Sequence, residues 1–197
     1  MTPFTTLTSI AVPLIRDNVD TDTIIPSREM TSTGKTGLVD GLFAPWRYRD
    51  VATRDPDPGF CLNDPAFNGA QILLAGKNFG CGSSREHAVW ALAEYGIRCI
   101  IAESFAPIFR NNCIRNGLLP IDCQRPVDSA FFGQLMTIDL IAQTMSIPGL
   151  FRLFHIDDDS RAMLIEGLDA IDLTLKHRDA ISAWQTEDKK VRPWVYL

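Results

Sequence analysis

The 197-residue sequence lacks any pairing of its cysteines. Five are present, Cys61, Cys81, Cys99, Cys113 and Cys123, and no two form a CxxC. An odd count without such pairs argues against a disulfide framework. A zinc or iron–sulfur site needs several thiolates on one metal, usually with two of them close in sequence. No such motif occurs here, so no metal site is expected on this chain. The expected role of most of these thiols is that of small buried hydrophobes. Cys81 stands apart because of its position. The sequence also lacks an excess of positive charge. Lys and Arg number 19 against 24 Asp and Glu, a net charge of -5. That balance argues against a nucleic-acid partner. No uncharged apolar run approaches the roughly 18 residues of a membrane span. The first fifteen residues lack a basic start and contain two prolines, which makes a poor signal peptide. The cytoplasm is therefore the expected compartment. Internal repeats and low-complexity segments are absent as well.

What is present is an ordinary globular composition, 46% hydrophobic and 22% charged. The length suits one domain, or one domain with an extension. Ser9 to Ile15 reads as a strand. Arg16 to Asp22 is a polar turn rich in Asp and Asn. Thr23-Ile24-Ile25-Pro26 reads as a second short strand. Met30 to Gly37 is a small, polar loop, and Trp46 to Pro65 is irregular. Ala70 to Ala75 is an apolar run that fits a buried strand. A helical pattern covers Arg85 to Tyr95, with Ala88, Leu92 and Tyr95 on one face and Gly96 as its stop. Arg98 to Ala102 is a strand, Phe105 to Asn116 a helix, and Leu118 to Ile121 a strand. Strands alternating with such helices predict an α/β fold with a partly parallel sheet. Beyond Pro126, Val127 to Met136 reads as a short helix and Phe151 to Ile156 as a half-exposed strand. Asp157 to Arg161 reads as a charged turn, and Asp179 to Glu187 as a closing helix.

Gly80-Cys81-Gly82-Ser83-Ser84-Arg85-Glu86-His87 joins a strand to a helix. Its glycines permit a sharp turn and the close approach of a ligand. Ser83 with Glu86 three residues on matches a capping box. The helix start behind it offers backbone N–H groups and a positive dipole end, which together suit an anion. Arg85 adds a planar fork for a carboxylate or phosphate. The same residues also fit a plain capped β–α turn. Related motifs fail. Arg85 follows where GxGxxG needs its third glycine. Glu29 stands where a P-loop ending in Gly34-Lys35-Thr36 needs its first. A GxSxG nucleophile turn is absent.

Asn78-Phe79-Gly80-Cys81-Gly82-Ser83-Ser84-Arg85-Glu86-His87 resembles the signature of the aconitase superfamily swivelling domain. Other segments are similar to its stand-alone form, the small subunits of 3-isopropylmalate dehydratases. They are Asp17 to Pro26, Gly41-Leu42-Phe43 with Trp46-Arg47, Ser104-Phe105-Ala106 with Ile108-Phe109, Asn116 to Pro120, and Gly167 to Leu175. The resemblance spans nearly the whole chain. It implies a three-layer β/β/α swivelling domain over residues 1–197 with a C-terminal extension. It also implies a hydro-lyase that interconverts hydroxy-acid isomers through an unsaturated acid, as in leucine biosynthesis. A [4Fe-4S] cluster is then expected on a partner large subunit, with a small dicarboxylic hydroxy acid as substrate. Within the motif, the resemblance makes Ser83 the catalytic base and Ser84 and Arg85 the groups that hold a carboxylate.

Asp22 matches the family's early Asp-Thr-Asp segment near the active site, and it equally fits a turn former. Lys35 stands where many relatives have arginine, at a place expected to carry positive charge near the substrate. Lysine keeps that charge without the bidentate fork. His87 is expected behind the site rather than in it. Val89 replaces a proline common at this early helical position, where proline is tolerated. Met30, Thr31 and Leu38 suggest an apolar substituent on the substrate. Two alternatives stay open: the small subunit of a related homoaconitate, citraconate or dimethylmaleate hydratase, and a non-catalytic anion-binding module.

Overall fold

The computed structural model describes residues 1–30 and 34–196. Strand β1 (Thr6–Leu14) is the seam of the fold. Its first half, Thr6 to Ile10, pairs antiparallel with a later strand, and its second half, Ala11 to Leu14, pairs parallel with another. A single long strand thus serves two kinds of sheet. After it come the helical turns α1 (Thr21–Ile24) and α2 (Ala44–Arg47), then a small hairpin of β2 (Tyr48–Asp50) and β3 (Asp55–Pro56). The regular middle follows: β4 (Ile72–Ala75), α3 (Glu86–Tyr95), β5 (Cys99–Ala102), α4 (Pro107–Arg115) and β6 (Leu119–Asp122). The last third holds β7 (Leu135–Asp139), β8 (Thr144–Ile147) and β9 (Leu150–Leu153), then α5 (Asp158–Glu166), α6 (Ala170–Leu175) and α7 (Arg178–Val191).

The sheet order is β6-β5-β4-β1-β7-β8-β9. Strands β6, β5, β4 and β1 run parallel, and β7, β8 and β9 continue from β1 antiparallel. All residues of β4 and β5 are buried, as parallel strands covered on both faces require. Leu73 and Ile100 point to one side and pack with Ala88 and Leu92 of α3 and Phe109 of α4. Ile72, Leu74 and Ile101 point to the other and pack with Met136 and Ile138 of β7 and Met145 of β8. The layers are therefore antiparallel β, parallel β and α, in agreement with the β/β/α expectation. Each such buried aliphatic side chain contributes about 1.5–3 kcal/mol relative to leaving it exposed.

Several local readings are corrected. Thr23-Ile24-Ile25-Pro26 is not a strand. Asp20 caps the preceding turn, accepting from Thr23 N at 2.6 Å, and this draws Thr21 to Ile24 into a helical turn. Asp157 likewise caps α5, accepting from Ser160 N at 2.9 Å, so the expected charged turn is the start of a helix. Val127 to Met136 is no helix. Asp128 caps a single 3-10 turn at Ser129 to Phe131, and the chain then enters β7. Leu38 is fully buried in the core and faces no ligand. Thr31, with Ser32 and Thr33, lies outside the described residues. Helix α7 runs four residues beyond the expected Glu187 and has no buried residue, Trp184 being 60% exposed. Among the described residues, no helix is long and apolar enough to cross a membrane.

Candidate active site

Three loops leave the carboxyl ends of β1, β4 and β5 and are stitched side by side. Asn18 N donates to Lys77 O at 2.8 Å, Gly80 N to Val19 O at 2.7 Å, and Thr21 N to Cys81 O at 2.9 Å. On the other flank, Phe79 N donates to Ser104 O and Ala106 N to Phe79 O, both at 3.0 Å. In open α/β sheets, ligands bind in the crevice beyond these strand ends. Here the crevice is a cavity of ≈ 220 Å³, walled by the Gly80 to Arg85 turn, by Thr21, and by the Ala106 to Asn112 side of α4.

The turn can take this shape because of its glycines. Gly80 has φ +76° and Gly82 φ +89°. A Cβ on Gly80 would stand 2.1 Å from Cγ of Phe109, whose ring packs edge-on against Phe79. A Cβ on Gly82 would meet Asp20 Cβ at only 3.4 Å. Gly80→Ala therefore adds overpacking to backbone strain, while Gly82→Ala adds strain with at most a tight contact. The expected cost is about 3 kcal/mol for Gly80→Ala and about 1–2 kcal/mol for Gly82→Ala. Thermal unfolding should show Tm lower by roughly 6–12 °C in the first and by roughly 2–8 °C in the second. Equal losses would mean that the Phe109 contact is unimportant.

The structure brings Ser83, Ser84 and Arg85 to the cavity wall. Both serines are exposed, and the Ser83 hydroxyl has no hydrogen-bond partner among the described residues. Its carbonyl accepts from Thr21 Oγ1 at 2.9 Å, which ties the turn to α1. Asp22 joins the group through Arg85. The two side chains form an ion pair, and Ser27 Oγ also donates to Asp22, at 3.4 Å. Lys35 is not brought to the cavity. Its ammonium donates to Asn116 Oδ1 at 3.0 Å and lies 5.6 Å from the centre of the Trp90 ring. His87 packs against Trp90, outside the cavity wall.

The expected capping box does not form. The N-cap of α3 is Arg85, and no side chain caps it. Ser83 and Ser84 lie before the helix, and Glu86 turns instead to Asn116, whose Nδ2 donates to it at 2.7 Å. The helix start beside the cavity carries no side-chain cap, and the acidic residue of its first turn, Glu86, points its carboxylate to Asn116. Sequence reading did not place Thr21, Ile108 or Asn112 at the site. Their positions depend on the stitching of loops far apart in the chain. The similarities over Asp20-Thr21-Asp22 and Phe105 to Phe109 were the signals that pointed there.

The cysteines divide as their surroundings dictate. Cys81 is half-buried in the cavity wall. Cys99 and Cys113 are fully buried in the two core clusters, and burial pushes both thiols far up. Burial also raises Cys123, to about 11, and Cys61. Metal ligation needs thiolates that converge. Among the described residues, no three His, Cys, Asp or Glu side chains gather to hold a metal. The described residues therefore do not gather a ligand set for an iron–sulfur cluster.

Comparison with known proteins converges on one family. The family model of the aconitase C-terminal domain matches residues 1–126. A second family model, for the C-terminal domain of the small subunits of 3-isopropylmalate dehydratases, matches residues 171–196. The chain is 50% identical to the 3-isopropylmalate dehydratase small subunit of Cupriavidus necator, with 100% of this chain and 99% of the relative covered. It is 46% identical to that of Saccharophagus degradans, with 100% and 98% covered. The crystal structure of 3-isopropylmalate dehydratase from Methanocaldococcus jannaschii superposes with a TM-score of 0.67 at 29% identity, over 91% of this chain and 99% of that one. Together with the β/β/α layers and the open Ser83-Ser84-Arg85 turn, these matches establish that the chain belongs to the 3-isopropylmalate dehydratase small-subunit family, built on the aconitase C-terminal domain.

Proposed function

We propose that this chain is the small subunit of a hydro-lyase that interconverts 2-isopropylmalate and 3-isopropylmalate in leucine biosynthesis. The observation that carries this reading is an unbonded Ser83 hydroxyl in a cavity shared with Arg85 and an uncapped helix start. Ser83, as its alkoxide, takes the proton from the carbon next to a substrate carboxylate. The C–H electron pair becomes the second bond of a C=C as hydroxide leaves the neighbouring carbon and takes a proton from solvent to become water; the proton held on Ser83 is returned to carbon, and one released to solvent, when water adds back. Water then adds back with its oxygen on the other carbon. A serine hydroxyl is a weak base, so its alkoxide needs stabilising; the open end of α3 and the Arg85 cation supply that. Ser84 and Arg85 hold the carboxylate, and Asp22 orients Arg85. Lys35, bonded to Asn116 outside the cavity wall, is given no role at the substrate.

The wall opposite the serines favours a branched apolar substituent. Ala106, Pro107 and Ile108 form it, and Ile108 is 56% exposed. A carboxylate in place of the isopropyl group would be desolvated there without a partner. A large subunit bearing a [4Fe-4S] cluster completes the enzyme and supplies Lewis-acid chemistry; no residue of this chain is assigned to hold it. The whole chain, residues 1–197, then acts as one swivelling domain in the cytoplasm, with α6 and α7 as its C-terminal extension.

Reconstitution tests this. The lone chain should show no turnover, and mixing with the cluster-bearing large subunit should restore it. Isopropylmalate should exceed the homoaconitate, citraconate and dimethylmaleate hydratase substrates in kcat/KM by at least about 10-fold, the scale on which apolar pockets discriminate. A preference for one of the other acids would reassign the substrate. Tight dicarboxylate binding by the lone chain, with no turnover alongside any large subunit, would make it a binding module instead.

A further inference from the structure

The sequence pattern Ser83-x-x-Glu86 is that of a capping box, and in the fold the box is open. The helix begins at Glu86 itself, with Arg85 at its N-cap, and the Glu86 carboxylate is held by Asn116 at the end of α4. The Asn116 amide is fully used. Oδ1 accepts from Lys35 Nζ and from Trp90 Nε1, both at 3.0 Å. Nδ2 donates to Glu86 Oε1 at 2.7 Å and to Asn112 O at 2.9 Å. All four hydrogen-bonding positions of the side chain are filled. The two donors, Lys35 and Trp90, also fix which end is oxygen, since a flipped amide would set N–H against N–H.

We propose that Asn116 is a positioning residue that holds the Glu86 carboxylate away from the Ser83–Arg85 turn and so keeps the anion site open. Glu86 is the first residue of α3 and adjoins Arg85. Released, its carboxylate has two favourable partners within one turn. It can move toward the free N–H groups at the helix start, which favour a negative charge, or pair with Arg85. Either contact places a negative group where the substrate carboxylate is to bind. A fixed anion inside the site competes with substrate as an internal inhibitor would. Lys35 and Trp90 hold Asn116 from its far side, and Asn112, which lines the cavity, holds it from the near side. The inference deepens the proposed function and rests on the reading that this turn binds a substrate carboxylate.

The experiment uses the enzyme reconstituted with its large subunit and isopropylmalate as substrate. Asn116→Leu removes every bond of the hub. Asn116→Asp keeps the acceptor for Lys35 and Trp90 but sets a second carboxylate against Glu86, so it serves even if the leucine variant folds poorly. Both should raise KM about 10-fold and leave kcat within about 2-fold. Glu86→Gln alone should leave KM near that of the unmodified enzyme, because glutamine can still accept from Asn116 and carries no charge. Glu86→Gln added to either Asn116 variant should bring KM back to within about 3-fold. An unchanged KM in Asn116→Asp, or a raised KM that Glu86→Gln does not reverse, overturns the role given to Asn116. Retained turnover in Ser83→Ala would instead overturn the reading of the site, and this inference with it.

Discussion

Ser83→Ala should abolish turnover in the reconstituted enzyme while leaving its assembly intact. The hydroxyl lines the cavity and makes no hydrogen bond within the described residues. Removing it therefore breaks no structural contact, and the change in stability should stay within about 0.5 kcal/mol. The chemical loss is of another order. Loss of a positioned general base costs about 10²–10⁴-fold. With no neighbouring group placed to substitute, kcat should fall by at least about 10³-fold, near 4 kcal/mol of transition-state stabilisation. KM should change little, because the carboxylate contacts assigned to Ser84 and Arg85 survive. Thermal unfolding and size-exclusion of the complex check the first statement, and initial rates with isopropylmalate check the second. A variant that kept more than a tenth of the parent kcat would end the assignment of Ser83 as base. Ser84→Ala is the natural contrast. One hydrogen bond to a charged group is worth about 1.5–3 kcal/mol, so its loss should appear mainly in KM.

The parts of this site that were legible in the sequence are those made by neighbouring residues. Gly80, Gly82, Ser83, Ser84 and Arg85 lie on one turn, and their chemistry follows from their order. Strands β4, β5 and β6 with α3 and α4 were equally plain, because an apolar run, a glycine stop and a 3.6-residue period are local signals. The failures share a cause. Asp20, Asp128 and Asp157 each accept from a backbone N–H two or three residues on, and each turns a segment whose hydrophobic pattern suggested something else. Glu86 is the reverse case: the local rule predicted a cap, but the helix begins at Glu86 itself, and a residue thirty positions away holds its side chain. The hairpin of β7 and β8 was missed because its strands are short and β7 takes its other partner from β1, far away in sequence. Lys35 was placed by likeness alone, and its observed partner, Asn116, is a contact that no local pattern encodes.

Arg85→Lys should lower kcat/KM about 10²-fold, chiefly through KM. The Arg85 side chain is partly buried, 22% exposed, and Asp22 holds part of its fork. The remaining N–H groups at the cavity can then meet a carboxylate in two-point contact. Lysine keeps the charge but offers a single flexible ammonium, which cannot serve Asp22 and the substrate in the same geometry. Losing one charge-assisted hydrogen bond and the orientation of the other comes to about 2–3 kcal/mol, and hence the 10²-fold estimate. Arg85→Gln, which also removes the charge, should lose about 10-fold more. Stability should move by no more than about 1 kcal/mol in either, because the pair stands at the surface and Asp22, 55% exposed, returns to water. Asp22→Asn separates two roles for the aspartate. If Asp22 only orients Arg85, the substitution should cost about 10-fold in kcat/KM in the parent enzyme and almost nothing on top of Arg85→Lys. An equal cost in both backgrounds would mean that Asp22 acts on the substrate directly. An unchanged KM in Arg85→Lys would remove Arg85 from the carboxylate site, and with it the reason for an open helix start at this turn.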